Sequence, residues 1–172
     1  MSHIARVGAL LLVLSVCALA ADTVAAPVPS QIAAAKKVFI SNGGQSAGPY
    51  GDYSGNQDRC YNQFYAAVKS WGRFDLADGP ADTDLVMEVK FANPPAPASV
   101  SSGQSGYPGT DPRFTLTIFD SKTHFVLWSI IEHSESAMLK ANRDRNYDKA
   151  MNALVDDLKQ LFAVPSGGAT AK

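Results

Sequence analysis

The chain has 172 residues, 46% of them apolar and 18% charged, with 15 Lys and Arg set against 16 Asp and Glu. That length suits one domain with a real hydrophobic core. The two charge signs are mixed along the chain, and no basic patch or stripe of the kind a dedicated nucleic-acid binder needs is visible, so nucleic acid is not an expected partner.

The first elements concern export. Arg6 is followed from Val7 to Ala20 by an uncharged run rich in Leu, Val and Ala, which has the form of a positive n-region and an apolar h-region. Ala18-Leu19-Ala20 fits a small-residue cleavage site, with Val24-Ala25-Ala26 as a second choice. Residues 1–20 therefore read as a signal peptide, and Asp22 ends the apolar run too early for a helix that spans a bilayer. An alternative makes Cys17 a lipid-anchored first residue, because Leu14-Ser15-Val16-Cys17 resembles a bacterial lipobox, from which Val16 departs. Without Arg6 the mature chain carries 14 Lys and Arg against 16 Asp and Glu. No membrane span is expected after cleavage, and the compartment is periplasmic or secreted. Cys60 is then the only cysteine, so an intramolecular disulfide is ruled out. It reads as a small buried apolar residue, with intermolecular pairing in an oxidising compartment as the alternative.

Residues 21–36 read as an extended lead-in. Lys37-Val38-Phe39-Ile40-Ser41 is the first strand, and the glycine-rich residues 43–55 read as a mobile loop. Tyr61, Phe64, Tyr65 and Val68 then recur at helical spacing; the helix starts between Ser54 and Asp58 and closes at Trp71-Gly72. Arg73 to Ala77 is a weak strand signal. In 85–91 the apolar Leu85, Met87, Val89 and Phe91 alternate with Glu88 and Lys90, the pattern of a strand with one wet face. Residues 93–112 are almost all Pro, Ala, Ser and Gly and predict a second mobile loop. Phe114, Leu116 and Ile118 alternate with Thr115 and Thr117, a turn at 120–123 follows, and Phe125 to Ile131 completes a hairpin. Both faces of that last strand are apolar, which predicts that the Pro-rich loop, a symmetry mate or a ligand covers the one turned from the helices. Tyr147, Met151, Leu154, Val155, Leu158, Leu161 and Phe162 form one stripe of a closing helix, and residues 165–172 read as a disordered tail.

The expected fold is α+β: one domain over 37–164, in the order β-α-β-β-β-β-α, with a largely antiparallel sheet of about five strands and two helices on one face. Ala81-Asp82-Thr83-Asp84-Leu85-Val86, Leu116-Thr117-Ile118-Phe119-Asp120, Thr123 and Leu127-Trp128, with the closing helix, resemble a pattern in exported, lipoprotein-like bacterial domains of unknown function. Those domains are similar in shape to small envelope-assembly domains such as the amino-terminal domain of TolB. The resemblance implies fold and compartment and carries no catalytic residue.

Residue chemistry gives little more. His124 and His133 stand nine residues apart, too far along one strand to share an ion, and His133 with Glu135 is the best metal pair, short of the four ligands of a closed zinc site. No G-x-S-x-G elbow occurs, and the glycine-rich loop lacks the Lys-Ser/Thr ending of a P-loop. No cofactor or metal is expected. Tyr50, Tyr53 and Tyr107 on glycine-rich loops, with Trp128 and Phe119, are the candidate binding surface. The expected function is non-catalytic binding or assembly in the cell envelope, with an unknown envelope protein or a second copy as partner. The contrasting class is a small secreted hydrolase.

Overall fold

The structure is a computed structural model that describes residues 26–46, 53–96 and 110–163. The export segment, the lipobox Cys17, the tail 165–172, Tyr50 and Tyr107 lie outside these residues.

Its elements are α1 (Ser30–Ala34), β1 (Lys37–Ser46), α2 (Arg59–Trp71), β2 (Asp75–Leu76), β3 (Leu85–Ala92), β4 (Arg113–Asp120), β5 (Val126–His133) and α3 (Lys140–Ala163). One five-stranded sheet runs in the order β2-β1-β3-β4-β5. The fold is α+β as expected, but the sheet is mixed: β1 is parallel to both β2 and β3, and only β3-β4-β5 is antiparallel. The reason is α2, which carries the chain back to the end where β1 began, so the strands after it run alongside β1 in the same direction.

Two sequence expectations change. The lead-in 21–36 contains a helix, α1, held by Ile32, which is fully buried. Its exit is fixed by Asp84, whose carboxylate accepts the backbone N–H groups of Lys36 and Lys37 at 2.8 and 2.9 Å. The glycine-rich segment 43–55 begins as strand: β1 runs on to Ser46, with a shift of register between Asn42 and Gln45. Gly44 takes φ +88° at that irregularity, where its N–H donates to Asn42 Oδ1, and a Cβ on Gly43 would lie 3.0 Å from Val89 O on β3. Glycine is thus required for backbone geometry and for close approach of two strands. The Pro-rich segment is tied at both ends, by Asn93 N–H donating to Ser46 O and by a bridge between Pro95 and Thr110; residues 97–109 lie outside the described ones.

The core lies between the sheet and the helices α2 and α3. Leu85, Met87, Val89 and Phe91 of β3, and Phe114, Leu116 and Ile118 of β4, are fully buried against Phe64 and Val68 of α2 and Tyr147, Leu154 and Leu158 of α3. At one end Phe91, Phe114, Tyr53 and Tyr147 form an aromatic cluster, and at the other Trp71, Phe74 and Phe162 form a second. The closing helix buries the stripe that its spacing predicts. α2 ends where Gly72 enters the left-handed region at φ 68° and its N–H caps Val68 O.

The residues that carry the family resemblance prove to be structural clasps. Thr83 hydroxyl donates to Pro80 O, Ser121 hydroxyl donates to Thr83 O, and Asp120 accepts from Lys122 N, Thr123 N and the Thr123 hydroxyl. Backbone donors on Asp84, and backbone and hydroxyl donors on Asp120, hold both carboxyls below the usual carboxylate range.

Candidate functional site

The β-strand period of two places alternate residues on opposite sides of the sheet. Since Val38, Leu85, Met87, Leu116 and Ile118 are buried beneath the helices, the residues between them face the other way. Strand register then groups them into rows. Phe39 is paired with Val86, Val86 with Phe119, and Phe119 with Val126, so one apolar row crosses four strands. Val126, at the end of that row, is 57% exposed, and Phe125, just before β5, is 72% exposed. The next row is polar, formed by Ser41, Glu88, Thr117 and Ser129, and the one beyond it contains Lys90, Thr115 and Ile131. Ile131 is 52% exposed. Among the described residues, no helix lies on this open face.

A bulge decides which residues of β5 reach it. Ile118 pairs with Trp128 and Phe119 with Val126, so Leu127 is an extra residue and the alternation slips by one. Trp128 therefore shares the helix side with Ile118, where it is half-buried against the core, while Val126 joins Phe119 on the open side. Of the candidate surface residues that are described, Phe119 alone lies on the open face. Tyr53 is buried, its ring 5.0 Å from Phe91 and 5.5 Å from Tyr147, and it builds the core rather than a loop surface. Phe39, Val86 and Val126 were missed because their row exists only across strands.

Among the described residues, Cys60, His133 and Glu135 are each already engaged. Cys60 is fully buried on α2, and burial pushes its thiol up to about 12, against a smaller opposing effect of its hydrogen bond with Tyr147. A thiol in that state is a poor nucleophile. His133 Nδ1 lies 2.6 Å from Asp111, which also holds Arg113, and Glu135 turns toward Lys149 at 3.9 Å. His133 and Glu135 do share a small cavity with Glu132, Asn146 and Lys149. Burial raises the pKa of Glu132, and a hydrogen bond with Asp157 raises it further. A carboxyl pair in direct contact does not match the spacing of about 5 Å or more that glycosidases keep between their two carboxyls. Among the described residues no three His, Cys, Asp or Glu side chains converge as metal ligands, and no helix is long and apolar enough to cross a membrane.

No family model and no curated protein matches the chain. Solved structures do. PelC from Paraburkholderia phytofirmans, a dodecamer, is 12% identical over 76% of this chain and 89% of its own, with a TM-score of 0.43. A DUF330 protein from Xanthomonas campestris is 12% identical over 75% and 84%, with a TM-score of 0.44. An uncharacterized lipoprotein B from Nitrosomonas europaea is 12% identical over 78% and 88%, with a TM-score of 0.43. The structures to which this chain is similar thus include lipoproteins and DUF330 proteins of bacteria.

Proposed function

We propose that the chain is an exported, non-catalytic module that acts by docking a partner on the open face of its sheet in the bacterial envelope. The observation that carries this reading is the apolar row formed by Phe39, Val86 and Phe119, each half-buried, and Val126, exposed, on a face that no described helix covers. A sheet with one wet face normally alternates apolar and polar cleanly, and a contiguous exposed apolar strip marks an interaction surface. Export follows from the n-region at Arg6 and the apolar run Val7 to Ala20.

The test is a photo-reactive residue placed at Phe119, on the open face, or at Lys69, exposed on α2, in cells that make the protein. Crosslinked species should form from position 119 and not from 69. Equal capture from both positions, or none from either, overturns the docking reading. Intact mass of the exported form checks the export step, since retention of Met1 contradicts cleavage.

A further inference from the structure

The open face is self-complementary, and we infer that its occupant is a second copy of this chain, packed face to face about a two-fold axis that crosses the strands at the level of Val89. This inference rests on the docking reading above and names its partner. A two-fold interface must present the same patch on both sides, so the charges at its centre need opposite charges at the positions the axis carries them to. At the centre of the face the central strand β3 carries one acid and one base on this side, Glu88 and Lys90, two residues apart. An axis midway between them sets Glu88 over the partner's Lys90 and Lys90 over the partner's Glu88. The same operation sets Thr117 over the partner's Thr115 and Val86 over the partner's Ala92, by the register of β3 with β4. By the same register Phe39 comes over the partner's Ser46, Val126 over the partner's His133, and Phe119 over the partner's Arg113, a cation that Asp111 already pairs, set over an aromatic face.

At Gly43 the space a side chain would take is filled by Lys90 Cβ at 3.0 Å and Glu88 Cγ at 3.1 Å, so both members of the central pair pack closely against β1. Four strands at about 4.8 Å spacing and eight residues at about 3.4 Å rise give about 500 Å² per copy, or about 1,000 Å² in all. That is the lower limit for a specific interface, so the dimer should be reversible, with a dissociation constant of roughly 1–100 μM. An acid and a base side by side at its centre, rather than a field of one sign, also suit a copy of the same surface better than a polyanion or an anionic bilayer.

Sedimentation equilibrium of the mature chain, residues 21–172, over about 1 μM to 1 mM tests the inference, with far-ultraviolet circular dichroism and thermal melts to confirm folding. The wild type should dimerise. Glu88→Lys and Lys90→Glu should each weaken the dimer at least about tenfold, since like charges then meet at two symmetric places. The double exchange Glu88→Lys with Lys90→Glu should restore the affinity to within about threefold. A wild type monomeric throughout that range overturns the second copy as occupant while leaving the docking reading standing if position 119 still crosslinks to another protein in cells. A dimer indifferent to both single exchanges, or one that the double exchange fails to restore, overturns it as well.

Discussion

Replacing Arg59 with Met should cost about 2–3 kcal/mol at pH 7. Arg59 begins α2 and clamps it to α3: Nη1 donates to Asp144 at 2.8 Å and to Ser54 O at 2.9 Å, and Nη2 donates to Asp148 at 2.6 Å. Breaking a buried ion pair costs about 3–5 kcal/mol, whereas an exposed one is worth about 0–1. The Arg59 side chain is 11% exposed and Asp144 19%, so that bond belongs near the buried class, while Asp148 at 52% exposed adds little. Lys140 and Ser54 still bond Asp144 in the variant, which lowers the cost from the full buried-pair value. Met keeps an apolar stem against the Tyr147 ring, over which the guanidinium sits at 4.2 Å, so packing loss is small. For a domain of this size the midpoint should fall by about 6–10 °C. The companion variant Asp144→Asn supplies the pH arm. Burial alone would raise the Asp144 pKa, but hydrogen bonds from Ser54, Arg59 and Lys140 outweigh it and hold the carboxyl far below its usual range. A folded pKa below the unfolded value of about 3.9 gives stability that is fully present above that value and lost as pH falls through the folded one. The gap between wild type and Asp144→Asn should therefore narrow from pH 5 to pH 2. Urea unfolding at a series of pH values measures it. A loss under about 0.5 kcal/mol for Arg59→Met, or a gap independent of pH, refutes the clamp.

Three further outcomes are expected. Cys60, buried and with its thiol pushed up to about 12, should not react with a thiol reagent at pH 8 until urea unfolds the chain; labelling of the native protein within minutes contradicts the burial. Gly72→Ala forces a Cβ into the left-handed region at φ 68° and should cost about 1 kcal/mol by thermal melt, while no change would mean that the helix end relaxes freely. Phe119→Ser on the open face should change stability by less than about 1 kcal/mol while abolishing association, whereas Trp128→Ser, half-buried on the helix side, should cost about 2–3 kcal/mol; the reverse ranking would place the two side chains on the wrong faces.

Much of the fold is legible along the chain because its elements are local. The alternation in 85–91 and 113–119 and the stripe from Tyr147 to Phe162 mark two strands and a helix within a residue or two of β3, β4 and the buried face of α3. Gly72 and the strand after Phe125, apolar on both faces apart from Ser129 as far as Ile131, are equally local signals. α1 is not legible, since five residues carry no period and Ile32 is helical only because it is buried beneath its neighbours. Gly43 and Gly44 resemble loop residues because the sequence records their freedom but not its use, which here is a register shift and the close approach of β3.

The candidate site divides along the same line. Composition and order alone determine an α+β chain with alternating strands and an apolar surplus from Phe125 to Ile131, because each of these properties depends on near neighbours. Which aromatic residues stay outside was decided by tertiary structure. Tyr53 is captured by Phe91 and Tyr147, distant in sequence, and the bulge at Leu127 turns Trp128 inward and Val126 outward. Parallel pairing of β1 with β3 then sets Phe39 beside Val86 and completes a row that no stretch of sequence contains. Strand register is a non-local quantity, and a slip of one residue exchanges the two faces of a strand.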